Sequence, residues 1–154
     1  MKTKTILASL AAFFAGLAVC LAADPNMGTW KLKEAKSMIG EGGTKIITVV
    51  YEAAGDKVKI TVDGVTSDGK PVHHEWTGKY DGKDYPVTGD PTGDVRSYKK
   101  AGDGTLEFTG KKDGKTTLTG RVAVAADGKT RTVTTTATDS SGKKVTNTAV
   151  YDKQ

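Results

Sequence analysis

Short stretches with an apolar residue at every second position recur from about residue 29 to the end of the chain. In the stretch from Lys57, for example, Val58, Ile60 and Val62 alternate with Lys59 and Thr61. Side chains of a β-strand point alternately to its two faces, so a period of two predicts strands with one apolar face. The pattern predicts strands at Thr29–Lys33, Lys45–Ala53, Lys57–Asp63, Pro71–Tyr80, Asp84–Thr88, Val95–Lys100, Thr105–Lys111, Thr116–Ala125, Thr130–Thr138 and Lys144–Tyr151. A turn or a single helical turn is expected within Glu34–Ile39.

Turn-forming dipeptides separate most of these stretches. Asp-Gly begins at positions 63, 68, 81, 103, 113 and 127, and Ser-Gly begins at 141. Asp-Gly between alternating segments is a hairpin signal, because a type I′ turn needs positive φ at both central residues. Such short connections predict that each strand pairs with the next in an antiparallel, up-and-down meander.

The composition after residue 23 also favours β structure, with 13 valines and 21 threonines against three leucines. Branching at Cβ restricts χ1, which disfavours helix and suits a pleated surface. A meander of about 8–10 strands leaves two open edges unless it closes on itself. We therefore predict one all-β domain, residues 24–154, closed into a barrel, with a β-sandwich as the alternative.

The predicted inward faces mix apolar and polar side chains. His74, Trp76 and Tyr80 share the inward face of one strand, and Arg131, Asn147 and Tyr151 lie on those of the last two. Buried polar groups need hydrogen-bond partners. A shared cavity that holds a ligand or water would satisfy them together, whereas separate protein partners would satisfy them singly. The strand Lys45–Ala53 is apolar on both faces and cannot be oriented from its pattern.

The segment Gly28-Thr29-Trp30 at the start of the first strand resembles the Gly-x-Trp element that opens the lipocalin and wider calycin fold. This resemblance implies a lipocalin-like barrel in which Trp30 closes the base and an arginine of a late strand packs across it. Arg131 is a better match than Arg121, because it falls on the inward face. An arginine stacked on Trp30 at a sealed base would be a structural residue rather than part of a ligand site.

The whole chain after residue 23 also resembles a group of small exported bacterial proteins of uncharacterised activity. The shared features are the Gly-Thr-Trp-Lys-Leu start, the stretch Tyr-Asp-Gly-Lys-Asp-Tyr-Pro-Val-Thr-Gly at 80–89 and a closing Val-Tyr-Asp.

Residues 1–23 have the order typical of a secretory signal. Lys2 and Lys4 precede an apolar run that ends in Ala22 and Ala23. We expect a secreted or periplasmic protein without stable membrane insertion, with lipid anchoring through Cys20 as the alternative. Loss of the two lysines lowers the net charge from +5 to +3, and no basic cluster suggests a nucleic-acid partner. The remaining chain has no cysteine for a disulfide.

The sequence contains no recognisable catalytic motif and no phosphate-binding glycine loop. His73 and Glu75 share an outward face, but a metal site needs three or four ligands. Asp90 to Asp94 reads as a turn rather than a calcium loop. We therefore expect no catalytic residues, no metal and no cofactor.

We expect a monomer without enzymatic activity, and two functions remain open for it. The first is binding of a small amphipathic or hydrophobic molecule inside the barrel, through a site formed by His74, Trp76, Tyr80, Arg131, Asn147 and Tyr151. The second is an envelope or extracellular interaction protein with a solid barrel, in which loops such as 80–94 recognise the partner. The aromatic residues Trp76, Tyr80, Tyr85 and Tyr98 fit either a ligand-lined mouth or cross-strand packing. The volume of the interior distinguishes the two functions.

The exported protein is predicted to begin at Ala23 or Asp24 and to be soluble, because small residues end the apolar run there. N-terminal sequencing of exported material measures this directly. A chain that begins at a diacylated Cys20 would contradict it.

Overall fold

The computed structural model describes residues 24–138 and 141–154. Residues 1–23, with the predicted signal and Cys20, lie outside the described residues. The strands are β1 (Gly28–Leu32), β2 (Lys45–Ala54), β3 (Lys57–Val65), β4 (Pro71–Gly78), β5 (Tyr85–Thr88), β6 (Val95–Gly102), β7 (Thr105–Lys112), β8 (Lys115–Val124), β9 (Thr130–Thr138) and β10 (Lys144–Lys153). One 3₁₀ turn covers Glu34–Lys36. No helix in the described part of the chain is long and apolar enough to cross a membrane.

The ten strands form a closed antiparallel barrel in which each strand pairs with the next. The first and last strands complete the circle, where Trp30 lies opposite Lys153 and Leu32 lies opposite Tyr151. Closure gives both edges of the meander a partner, which removes exposed hydrogen-bonding edges. The predicted all-β, up-and-down barrel is confirmed, and the sandwich alternative is wrong.

Several Asp-Gly pairs lie where the chain reverses, but among the described residues only Asp113-Gly114 has the predicted type I′ geometry. At Asp113-Gly114 both φ angles are positive, 51° and 76°, as a type I′ turn requires. Asp63-Gly64 was expected to be a turn, but it lies within β3, and the chain reverses between Thr66 and Lys70 instead. A Cβ at Gly64 would lie 2.3 Å from the backbone oxygen of Lys45. This glycine therefore permits close approach to β2.

A bulge in β2 explains why this strand could not be oriented from its sequence. The pairing with β3 shifts between Ile46 and Thr48. Val49 and Tyr51 are buried beyond the bulge, while the side chain of Ile47 is 38% exposed. The extra residue of a bulge changes the phase of the alternation, so apolar residues occur on both nominal faces.

Phe108 of β7 packs closely against β8. It lies directly opposite Gly120, and a Cβ on that glycine would be 2.2 Å from Cζ of the phenyl ring. The far edge of the ring therefore rests over the backbone of β8, in space that any side chain at position 120 would occupy.

The end of the barrel where β1 begins and β10 ends is closed by Trp30 and is called the base here. Trp30 is completely buried, and its Nε1 donates a hydrogen bond to the Asn26 backbone oxygen at 2.7 Å. The guanidinium carbon of Arg131 lies 4.7 Å from the centre of the Trp30 ring. The arrangement implied by the Gly-x-Trp element is confirmed, with Arg131 rather than Arg121 across the tryptophan.

We predict that Trp30→Ala lowers the free energy of unfolding by about 3–5 kcal/mol, because it leaves a large cavity at the base. Urea denaturation measures the loss. Lys31→Ala, on the exposed outer face of the same strand, is the control and should change the stability by less than about 0.5 kcal/mol. A loss below about 1 kcal/mol for Trp30→Ala would show that the tryptophan does not hold the base together.

Candidate functional site

The interior of the barrel contains a cavity of about 280 Å³. It extends from Arg131 at the base to Gly42–Thr44 and Asp90–Thr92, loop segments at the opposite end. Most of its wall is apolar and comes from Ile39, Ile46, Val49, Tyr51, Ile60, Val62, Val72, Tyr98, Phe108, Leu118, Val122, Val133, Ala137, Val145 and Ala149. The interior of this barrel is therefore not solid.

Four of the six residues predicted to form a ligand site line this cavity: His74, Arg131, Asn147 and Tyr151. Two of them already have protein partners. Asn147 Oδ1 accepts a hydrogen bond from the backbone N–H of Gly40 at 2.8 Å, and the Tyr151 hydroxyl donates to the Ile46 backbone oxygen at 3.1 Å. The structure brings the four together, and their role in binding a ligand stays a prediction.

Trp76 and Tyr80 do not line the cavity, because they pack into an aromatic cluster towards the base. Trp76 lies 4.6 Å from Tyr98 and is stacked on Tyr80 at 6.5 Å between ring centres. The Trp76 Nε1 donates to the Arg96 backbone oxygen at 2.9 Å. Strand β4 ends at Gly78, so Tyr80 lies beyond the strand in which it was predicted. Cross-strand packing describes this cluster better than a ligand-lined mouth.

Arg131 is held at the base by aromatic rings. Its guanidinium carbon lies 4.7 Å, 4.9 Å and 5.0 Å from the ring centres of Trp30, Tyr51 and Tyr151. The side chain is buried, and among the described residues its Nε and Nη1 have no hydrogen-bond partner. Stacking on Trp30 makes Arg131 a structural residue first, although it also forms the floor of the cavity.

A buried ion pair that the sequence analysis missed lies in the cavity wall. Arg96 Nη2 pairs with Asp90 Oδ2, and the two side chains are 6% and 5% exposed. Arg96 Nη1 lies 3.2 Å from His74 Nε2. Asp90 is the turn residue that was expected, since its Oδ1 accepts the backbone N–H of Thr92 at 2.8 Å. Period-two spacing from Tyr98 places Arg96 on the inward face of its strand, so this spacing was a sequence signal for the buried arginine.

His74 is neutral in this environment. Burial, reinforced by the positive charge of Arg96, lowers the pKa of His74 from 6.5 to about 4. A guanidinium only donates hydrogen bonds, so His74 Nε2 accepts from Arg96 and the ring proton is on Nδ1. That Nδ1 is buried and has no hydrogen-bond partner within residues 24–138 and 141–154. It is an unused donor in the cavity wall.

His73 lies on the outer face, as predicted. Its Nδ1 is 2.6 Å from Asp63 Oδ1, and its Nε2 is 4.0 Å from Glu75 Oε1. The side chain is 59% exposed. In the described part of the chain, no three His, Cys, Asp or Glu side chains are grouped so that they can hold a metal ion.

The chain is similar to several solved structures, and the first of those given below supports the barrel fold. EF1p2_mFAP2b, in a structure bound to DFHBI, is 14% identical with a TM-score of 0.52, covering 86% of this chain and 97% of that one. The redesigned β-barrel mFAP1 bound to DFHBI is 20% identical, with a TM-score of 0.47 and coverages of 83% and 96%. The siderocalin Ex-FABP is 11% identical, with a TM-score of 0.36 and coverages of 83% and 73%. No protein-family profile and no curated protein sequence matches the chain.

We predict that acid destabilises the protein through His74. The unfolded chain binds a proton at this ring below about pH 6.5, whereas the folded protein resists protonation until about pH 4. Stability therefore falls as the pH drops through this window, by about 2 kcal/mol between pH 7 and pH 5. Urea denaturation at the two pH values measures this loss.

His74→Gln should remove that part of the pH dependence. His73→Gln, on the exposed outer face of the same strand, is the matched control and should retain it. Equal pH dependence in the wild type and in His74→Gln would contradict the assignment of a neutral, buried His74.

Proposed function

We propose that this barrel binds a small amphipathic or hydrophobic molecule in its interior cavity. The observation that carries the proposal is the cavity of about 280 Å³, closed at the base and lined mainly by apolar side chains. Concave, mostly apolar sites with a few placed polar groups are typical of small-molecule binding. Here the polar groups are His74, Arg96 and Asn147, and the structural Arg131 forms the floor.

The size of the cavity supports a small ligand. An engineered apolar cavity of about 150 Å³ binds benzene. A volume of about 280 Å³ therefore suits a molecule somewhat larger than a single ring. The proposal is also supported by EF1p2_mFAP2b, a barrel of similar fold that is bound to DFHBI.

Export is the second part of the proposal. It is supported by residues 1–23, in which two lysines, an uncharged apolar run and two small residues follow one another. After loss of residues 1–23 the protein has no cysteine, so its stability depends on its core and on barrel closure. The protein would then meet its ligand outside the cytoplasm, with lipid anchoring through Cys20 as the alternative location.

We predict that Thr135→Phe weakens binding of a neutral two-ring probe, 1-aminonaphthalene, by at least about tenfold. Thr135 lines the cavity, so a phenyl ring at this position takes up space that the probe needs. Fluorescence titration of the probe measures the dissociation constant. Thermal unfolding shows whether the variant stays folded.

The matched control is Thr134→Phe, the same substitution one residue earlier on the exposed outer face of β9. It should leave probe binding unchanged. Equal affinity of both variants for the probe would show that the molecule binds elsewhere on the surface, and absence of binding to the wild type would reject the proposed cavity site.

A further inference from the structure

The ring of His74 carries a hydrogen-bond donor that has no acceptor among the described residues. Its Nε2 accepts from Arg96 Nη1 at 3.2 Å, so the ring proton is on Nδ1. This Nδ1 is buried and unpartnered. Val62, opposite His74 in the ladder, and Val72, on the same face of β4, line the cavity beside it. An N–H group among apolar side chains is unfavourable unless an acceptor reaches it.

His74 is the uncharged residue among the cavity-lining side chains that keep an unpartnered N–H in the described part of the chain. The others are arginines, and both are held by other contacts. Arg96 Nε belongs to a guanidinium that is paired with Asp90, and Nε and Nη1 of Arg131 belong to one that is stacked on the rings of the base. The side of the cavity formed by His74 therefore offers a neutral donor.

The charges around His74 cancel. Arg96 is paired with Asp90 in a buried ion pair, and the His74 ring in contact with Arg96 is neutral. The Asp90 carboxylate belongs to the same buried cluster, so it opposes a second negative charge there. This part of the wall favours a neutral partner for Nδ1.

The acceptor of the cluster is already occupied. Asp90 Oδ1 accepts the backbone N–H of Thr92 at 2.8 Å and its hydroxyl at 2.7 Å, and Oδ2 accepts from Arg96. A ligand hydroxyl at His74 would bring a further donor in need of an acceptor. A carbonyl oxygen accepts and does not donate, so it satisfies Nδ1 without this cost.

Resting on the proposed binding function, we propose that the ligand is a neutral carbonyl compound whose oxygen accepts a hydrogen bond from Nδ1 of His74. Its apolar part occupies the space beside Val62 and Val72. Arg96 and Asp90 are positioning residues in this arrangement. Arg96 donates to Nε2 and so keeps the ring proton on Nδ1, and Asp90 holds Arg96 in place.

Displacement of 1-aminonaphthalene from the purified wild-type protein at pH 7.4 by two matched molecules tests the proposal. 2-Acetylnaphthalene has a carbonyl group where 2-isopropenylnaphthalene has a carbon–carbon double bond of nearly the same shape. The two molecules make the same apolar contacts, which cancel in the ratio of their dissociation constants. The change of this ratio on substitution of His74 measures the hydrogen bond to the carbonyl oxygen.

His74→Leu should shift the ratio against the ketone by at least about fivefold, because the donor is lost. His74→Asn is the matched variant, since asparagine has nearly the size of leucine and offers an amide N–H near the place of Nδ1. It should keep the ratio within about twofold of the wild type. Both substitutions remove the Nε2 that accepts from Arg96, so any disturbance of the Arg96–Asp90 pair is common to them.

Carbon-13 NMR of 2-acetylnaphthalene labelled at its carbonyl carbon gives a readout on the wild type that does not depend on the folding of a variant. A hydrogen bond to the oxygen moves the carbonyl resonance to higher chemical shift. The bound ketone should therefore resonate at a higher shift than the same ketone in hexane. A bound resonance at the position found in hexane would overturn the proposal.

Failure of this proposal differs from failure of the binding function. If both molecules displace the probe but their ratio is the same in His74→Leu and His74→Asn, the hydrogen bond to His74 is overturned and the binding function stands. If neither molecule nor 1-aminonaphthalene binds to the wild type, the proposed function itself fails.

Discussion

The contact between Arg131 and the three aromatic rings of the base holds the seam of the barrel together. The seam is the ladder that joins the first strand to the last, and it pairs only Trp30–Leu32 with Tyr151–Lys153. Pairing between chain ends is the most costly in loop entropy, because almost the entire chain lies between the partners. Arg131 extends from β9 to rings of β1, β2 and β10, so one side chain links four strands around the seam.

The side chain of Arg131 also places a charged group at the floor of the cavity. Burying a guanidinium among aliphatic side chains is unfavourable, because the charge loses its hydration. Cation–π contacts with the aromatic rings offset part of this cost. Above the floor, Arg96 is paired with Asp90 and donates to the neutral His74, so these polar groups of the wall mostly satisfy one another. The residue that stabilises the base thus also forms the floor of the cavity.

The strand order, the closed barrel and the inward faces of β3, β4, β7, β9 and β10 could be predicted from period-two alternation, because each strand has one face against the interior. The pattern failed in β2, where the bulge after Ile46 changes its phase, and at Gly64, where the glycine serves close packing rather than a turn. The convergence of His74, Arg131, Asn147 and Tyr151 on one cavity followed from these faces.

The position of Trp76 and the Arg96–Asp90 ion pair could not be predicted from the sequence. Trp76 packs against the ring of Tyr98 instead of lining the cavity. These two residues belong to β4 and β6, which are not consecutive strands, so alternation within each strand does not predict their contact. The partnership of Arg96 with Asp90 depends on a loop folding inward over the strand end, and alternation within a strand carries no information about loops.

Gly120 affects the shape of the cavity although it does not line it. Phe108 lines the cavity, and its ring has room over β8 only because position 120 lacks a side chain. Even a methyl group there would force the ring to move, and the adjacent open space is the cavity. Exchange of this one glycine during evolution would therefore change the shape of the cavity, while every residue that lines it stayed the same.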